Sequence, residues 1–259
     1  MATGLDSLQK TEAERANQRA RENLAASYRG LEYYGLAEGI CNHLSLRAPA
    51  RNGKGDVMLL VPYGIHWSQM TASSLIGIDM QTEEVVEGEG IGEENAVSIH
   101  VPIHRAMKDI NCVMHIHAPY ATALCCLKEP RLKMIHQTCM RFYGKVAYDS
   151  EYGGAGCMGD ESVRLASKMA GKQILVMGNH GIMGIGKSAA AVFDNLYYFE
   201  RAAMTQMLAD ATGKELAEVS DEVAKGVAEY FDSCGDSFKI DHLEAIKKVL
   251  EKKEPDFRS

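Results

Sequence analysis

The tripeptide His115-Ile116-His117 carries more chemistry than any other in the chain. On an extended strand, residues two apart leave the same face, so both imidazoles project together. Two rings at a fixed separation offer two nitrogen ligands to a divalent cation of borderline softness. Two half-buried structural histidines have the same sequence, so the tripeptide alone does not choose. A third imidazole, His180, stands in Asn179-His180-Gly181, directly after the apolar run 174–177. At a strand end it would complete a three-histidine site with an open fourth position, the arrangement of a catalytic metal that polarises a substrate oxygen. Spacing does not establish that these segments meet.

Other groups could move protons. His100 and His104 are four residues apart, on one helical face, where a solvent-facing or capping pair looks the same. Tyr148, Asp149, Glu151 and Tyr152 make a polar, aromatic cluster that reads as a loop. Residues 181–188 match the phosphate-loop pattern G-x-x-x-x-G-K-[ST], a nucleotide-binding rival. Their interior, Ile-Met-Gly-Ile, is apolar and suits a hairpin strand better than a phosphate cradle. Residues 154–159 match G-x-G-x-x-G, but no apolar strand precedes them.

The elements that must position these residues follow from periodicity. Helical spacing covers 8–34, 96–108, 118–127, 189–208, 215–231 and 242–253, with Pro102 expected in a first turn. Strand-like runs cover 44–47, 57–61, 76–80, 84–87, 112–117 and 174–177. Helices and strands interleave without a regular βαβ beat, which predicts a mixed α/β layer structure rather than a doubly wound sheet.

Composition excludes several classes of function. A formal charge of −7 gives no reason to expect a nucleic acid or an anionic membrane as partner. No apolar run reaches the length of a membrane span, and the first 30 residues are polar and charged rather than signal-like. Seven scattered cysteines, five of them in apolar or mixed segments, point to buried reduced thiols and a cytoplasmic location.

A set of longer motifs carries a resemblance. They are Leu24-Ala25-Ala26-Ser27-Tyr28-Arg29, Asn42-His43-Leu44-Ser45-Leu46-Arg47, Pro62-Tyr63-Gly64, Thr71-Ala72-Ser73-Ser74-Leu75, Met114-His115-Ile116-His117, and Asn179-His180-Gly181 with the five residues after it. Along nearly its whole length the chain resembles the class II aldolase/adducin family, with a tail similar to the adducin-like bacterial branch. The resemblance implies one domain over 1–259, with an N-terminal helix within 1–34 and a short helix in the tail 232–259. Its fold would be a three-layer α/β/α arrangement on a central mixed, largely antiparallel sheet. It assigns His115, His117 and His180 to a divalent metal, commonly zinc, with Fe2+ or Mn2+ as alternatives. By motif position it assigns His43, Ser45, Tyr63 and Gly64 to the substrate. Family members are commonly homotetramers with the site near a subunit boundary.

The sequence departs from the family's sugar-phosphate aldolases at three points. Those enzymes carry Ser-Ser-Glu, with the acid/base Glu four residues before a histidine. Here that histidine is His100, Ala96 stands at the Glu position, and Glu94 and Asn95 replace the serines. The family's Gly-Asn-x-Ser loop has His43 at its Asn position. A carboxylate near a phosphate repels it, which argues against a sugar-phosphate substrate. Glu94, His100 and Tyr152 are the candidates left for acid/base work. The expectation is a metal-dependent lyase acting on a small carbonyl or keto-acid substrate, by C–C cleavage or decarboxylation through an enolate. The alternative is a non-catalytic, adducin-like assembly domain with a structural metal.

Overall fold

The computed structural model describes residues 11–151 and 161–259. Helix α1 (Glu12–Tyr33) starts at a capping box: the Thr11 hydroxyl accepts the Glu14 N–H, and the Glu14 carboxylate accepts the Thr11 N–H. Eight strands follow among the described residues: β1 (His43–Pro49), β2 (Asp56–Leu60), β3 (Ile76–Asp79), β4 (Val85–Glu87), β5 (Cys112–Ile116), β6 (Val146–Asp149), β7 (Ile174–Met177) and β8 (Ile182–Gly186). They form one sheet in the order β4-β3-β2-β1-β5-β8-β7-β6. Only β6 and β7 run parallel; the other neighbours are antiparallel.

Strand alternation sends apolar side chains to both faces. In β5, Cys112, Met114 and Ile116 join the larger core, while Val113 joins a second one on the opposite face. The larger core is closed by α1, α3 (Pro119–Cys125), α4 (Gln137–Met140), α6 (Ala189–Asp210), α7 (Asp221–Ser233) and α8 (Ser237–Lys253). The opposite face is covered by α2 (Glu94–Ala106) and α5 (Glu161–Lys168). This is the expected three-layer α/β/α arrangement on a mixed, mostly antiparallel sheet. Among the described residues, no helix is long and apolar enough to cross a membrane.

Some local expectations are corrected. Helix α2 begins at Glu94, so Pro102 lies in its interior and not in its first turn. The proline deprives the Ser98 carbonyl of its helical partner, a cost of about 3 kcal/mol in an isolated helix. Here Ile99, His100, Ile103 and His104 are buried on the sheet side, and that packing holds the helix through the break. Tyr148 and Asp149 end β6 and are not loop; the Asp149 carboxylate is gripped by Arg164 and Lys168. Residues 215–219 precede the Ser220 cap of the next helix, Asp221–Ser233, and α8 starts at Ser237, five residues before the expected position. Cys41 and Cys126 are exposed, not buried.

The phosphate-loop match is overturned. Its residues 182–186 are β8, paired on both sides by β5 and β7, so their N–H groups serve the sheet ladder and cannot converge on a phosphate. The match at 154–159 lies outside the described residues.

Candidate metal centre

His115 is the fourth residue of β5 and points to the α2 side of the sheet, since Met114 and Ile116 point the other way. His117 stands one residue past the strand. Its backbone N–H donates to the Asn42 side-chain oxygen at 2.9 Å, and Asn42 itself adopts φ 71°. A tight turn joins β7 to β8: Met177 N–H donates to the Gly181 carbonyl at 2.9 Å, and Asn179 takes φ 55°. That turn sets His180 against the other two imidazoles. Ring centroids of the three pairs lie 4.7, 4.8 and 4.9 Å apart. One ligand nitrogen from each residue lies within 4.8 Å of the others. The expected triad is therefore brought together.

The residues around the triad test whether it suits a cation. His115 Nδ1 donates to the Ile182 carbonyl at 3.0 Å, and His117 Nδ1 contacts the Glu38 carboxylate. Both partners are acceptors, so both rings hold their proton on Nδ1 and turn Nε2 inward. The two Nε2 atoms are 3.1 Å apart. Lone pairs facing each other at that distance repel unless a proton or a cation lies between them. Nitrogens around a tetrahedral zinc stand about 3.3 Å apart, close to this spacing. The donor set and its supporting shell fit a divalent metal.

A second histidine group lies beside the first. His43 pairs directly with His115 across β1 and β5, and their ring centroids are 5.3 Å apart. His43 Nδ1 is 2.8 Å from His100 Nε2; Ser45 Oγ is 2.7 Å from His100 Nδ1 and 2.9 Å from His104 Nε2. These four side chains are buried between β1 and α2. His100 and His104 are thus interior groups, not a solvent-facing pair. Ser45, expected to contact substrate, is fully buried, and its hydroxyl is taken by the two helix imidazoles.

The remaining candidates are not joined to this group by hydrogen bonds among the described residues. Glu94 is the exposed first residue of α2. Tyr63 is 60% exposed, and Gly64 follows it with φ 92°. Tyr63 N–H donates to Ile91, which ties that turn to the entry of α2. Tyr152 lies outside the described residues. Ala96 is fully buried within an apolar cluster with Met58, Leu60, Ile76, Ile78 and Val101. Glu38 was not singled out in the sequence, and Asn42 entered only as the first residue of the His43 motif. Their signal was faint: an acid and an amide among Gly35, Gly39 and the His43 motif.

Burial holds His43, His100 and His104 neutral. Desolvation, with the neighbouring His117 and His180, lowers His43 to about 3. Desolvation, with Arg47, lowers His104 to about 4. His100 is pushed well below the ordinary histidine range, by burial first and then by His43 and His104. Between these values and the unfolded value near 6.5, the unfolded chain binds more protons than the folded one. Stability is therefore full above about 6.5 and falls as pH drops through that window. Each such imidazole costs about 1.4 kcal/mol per pH unit. Urea midpoints of the metal-free protein should drop steeply between pH 7 and 5, before most carboxylates titrate. A flat midpoint over that range would contradict the buried neutral assignment.

The model of the Class II Aldolase and Adducin N-terminal domain matches residues 22–207, which include all three triad histidines. The solved structure of an aldolase II superfamily protein from Pseudomonas syringae superposes with a TM-score of 0.86 at 28% identity, covering 96% of this chain and 97% of that one. An L-fuculose 1-phosphate aldolase from Glaciozyma antarctica gives a TM-score of 0.81 over 99% of this chain and 100% of that one. At 22% identity, that likeness is one of fold. An adducin-related protein of Schizosaccharomyces pombe is 32% identical across 92% of this chain and 76% of its own length. The extent of the family match, on a fold with the same layered sheet, means that the chain belongs to the class II aldolase and adducin family.

Proposed function

We propose that the chain is a divalent-metal-dependent lyase acting on a small carbonyl or keto-acid substrate, by carbon–carbon cleavage or decarboxylation. Zinc is the proposed cation, with Fe2+ or Mn2+ acceptable to the same donors. The observation that carries the reading is the outward anchoring of Nδ1 in His115 and His117, which aims both Nε2 lone pairs at one point. Such anchoring orients metal ligands and raises their basicity.

The cation, when bound, supplies a Lewis acid that draws charge from a breaking bond onto a substrate oxygen. The chain's residues do the rest. His115, His117 and His180 hold the centre with three neutral donors and leave further coordination open to a guest. Glu38 and the Ile182 carbonyl fix two of the rings. The exposed Glu94, where the sugar-phosphate aldolases grip phosphate, supports a substrate without that group. A homotetramer in the cytoplasm is the proposed setting, by analogy with the family.

A second reading, an adducin-like assembly domain with a structural metal, is favoured by one observation. Ala96 offers no acid where the aldolases have one, and it sits among apolar side chains. Elemental analysis of the purified protein, followed by assays on a panel of small keto acids and aldols, separates the two. The expected result is about one cation per chain, with turnover lost on chelation and restored by zinc. One cation per chain with no turnover, and an oligomer that falls apart on chelation, would favour the assembly domain. Protein without metal would overturn both.

A further inference from the structure

We infer that residues 36–42, between α1 and β1, form a latch over the metal centre. Glu38 holds this loop onto the ring of His117 while that ring carries a cation, and releases it when the ring is empty. The inference rests on the metal-dependent reading above and adds a regulation of that centre: how a bound cation is kept or let go.

The loop is fixed at both ends and hinged between them. Helix α1 stops in a Schellman turn: Gly35 takes φ 73° and donates to the Glu32 carbonyl at 2.8 Å, and the Leu36 N–H donates to Leu31 at 2.9 Å. Leu36 is buried and anchors the near end. Asn42 is buried at the far end, with its side-chain oxygen on the His117 backbone N–H. Gly39 takes φ 61°, and a Cβ there or at Gly35 would meet nothing within 4 Å. Glu38 therefore stands between two glycine hinges with open space around both. Under the near end, Leu36, Pro119, Tyr120 and Tyr197 line a cavity of about 260 Å³, so the base of the loop has room to shift.

What closes the loop is a single polar tie. Among the described residues, 37–41 make one hydrogen bond to the rest of the protein, from His117 Nδ1 to the Glu38 carboxylate. The loop's other bond runs within it, from the Cys41 N–H to the Glu38 carbonyl at 3.0 Å. Ala37 packs on the larger core, but Ile40 and Cys41 are exposed, and the Glu38 side chain is 56% exposed. So exposed a pair holds little by itself.

A cation on His117 Nε2 changes that balance. It draws electron density from the imidazole and makes Nδ1–H a stronger donor, so the bond to the carboxylate becomes charge-assisted. Coupling of this kind is reciprocal: as much as the cation tightens the loop, the loop tightens the cation. Aiming a ring does not require such a device, as His115 shows. Its Nδ1 is held by the Ile182 carbonyl, in a strand paired on both sides. The acceptor for His117 sits on a hinged loop instead. Because Asn42 holds the backbone of residue 117 separately, the loop can lift while that backbone stays. The freed ring can then turn Nε2 away from the other two imidazoles, which opens a way out for the cation.

Hydrogen exchange of the full chain, read by mass spectrometry over 36–42, tests the latch. The Cys41 amide is the reporter, because its bond lies inside the loop. Saturating zinc should slow its exchange about tenfold or more, the factor that one charge-assisted hydrogen bond supplies. Glu38→Ala, saturated with zinc, should lose that protection and release zinc to a chelator about 10–100-fold faster. Glu38→Gln, which keeps an acceptor without the charge, should fall between the two.

Wild-type protein that binds zinc with unchanged Cys41 exchange overturns the inference. So does a zinc-saturated Glu38→Ala chain that keeps the full zinc-dependent protection. Should the metal-free chain not stay folded, the zinc-loaded wild type is compared with zinc-loaded Glu38→Ala, and equal exchange overturns the latch. Wild-type protein that takes up no zinc defeats the metal-dependent reading and the latch with it, whereas zinc bound over an unmoved loop defeats the latch alone.

Discussion

A chain carrying His115→Ala and His117→Ala together is expected to fold and to come through purification without metal. Protein sites that close fully around zinc bind it with roughly 10–16 kcal/mol, which is about 3–4 kcal/mol for each ligand. Losing two of three imidazoles therefore removes about 6 kcal/mol or more, on the order of a 10⁴-fold fall in affinity. The folded state loses far less. His117 is half-buried at a strand end, and its replacement empties little of the core. His115 is buried, and Ala leaves a cavity there, at a cost of about 1–3 kcal/mol. Part of that returns, because the variant no longer has to desolvate an imidazole beside His43 and His180. Circular dichroism and thermal melts should report a native-like chain, and elemental analysis should find it empty. Metal content equal to the wild type would remove these histidines from the site.

The triad was legible in the sequence because each part of it is a local pattern. His-x-His on a strand fixes two rings through a period of two, and Asn-His-Gly marks the turn between β7 and β8. The meeting of these segments was not local: it depends on β5 pairing with β8, and no spacing encodes that register. The same gap hid the second histidine group. His43 and His115 are 72 positions apart, and only the β1–β5 pairing makes them neighbours. His100 and His104 were visible as one helical face, but whether that face looked at solvent or at the sheet depended on packing. Glu38 left almost no trace, since one acid in a loop is ordinary until an imidazole is found against it. Ala96 shows the opposite case. Its position was read as a departure from the aldolases, but its apolar surroundings belong to β2, β3 and α2 together and could not be read from the helix alone.

Gly181→Ala is expected to damage both the fold and the metal centre, and it tests how the turn places His180. A Cβ at 181 would lie 2.5 Å from His117 Cδ2 and 2.7 Å from the Ile116 carbonyl oxygen. Neither contact is tolerable, and the second is with backbone, which cannot swing aside. The turn is also held from its own side: the Gly181 carbonyl accepts the Met177 N–H at 2.9 Å and the Cys125 thiol at 3.2 Å. Relief must come from separating β8 from β5 or from rotating His117 away from Glu38. The first breaks ladder hydrogen bonds; the second spoils the aim of Nε2. The cost in stability should be about 2–4 kcal/mol, and metal affinity should fall by about 10–100-fold through misplaced ligands. Gly184→Ala is the matched control. Its Cβ would meet Val192 Cγ1 at 2.8 Å, a side-chain contact on the far face of β8. That variant should lose stability and keep its affinity for zinc. Chelator competition on both proteins, beside their melting curves, gives the comparison. Equal zinc affinity in the two variants would mean that Gly181 serves the hairpin alone and that the centre tolerates a displaced His117.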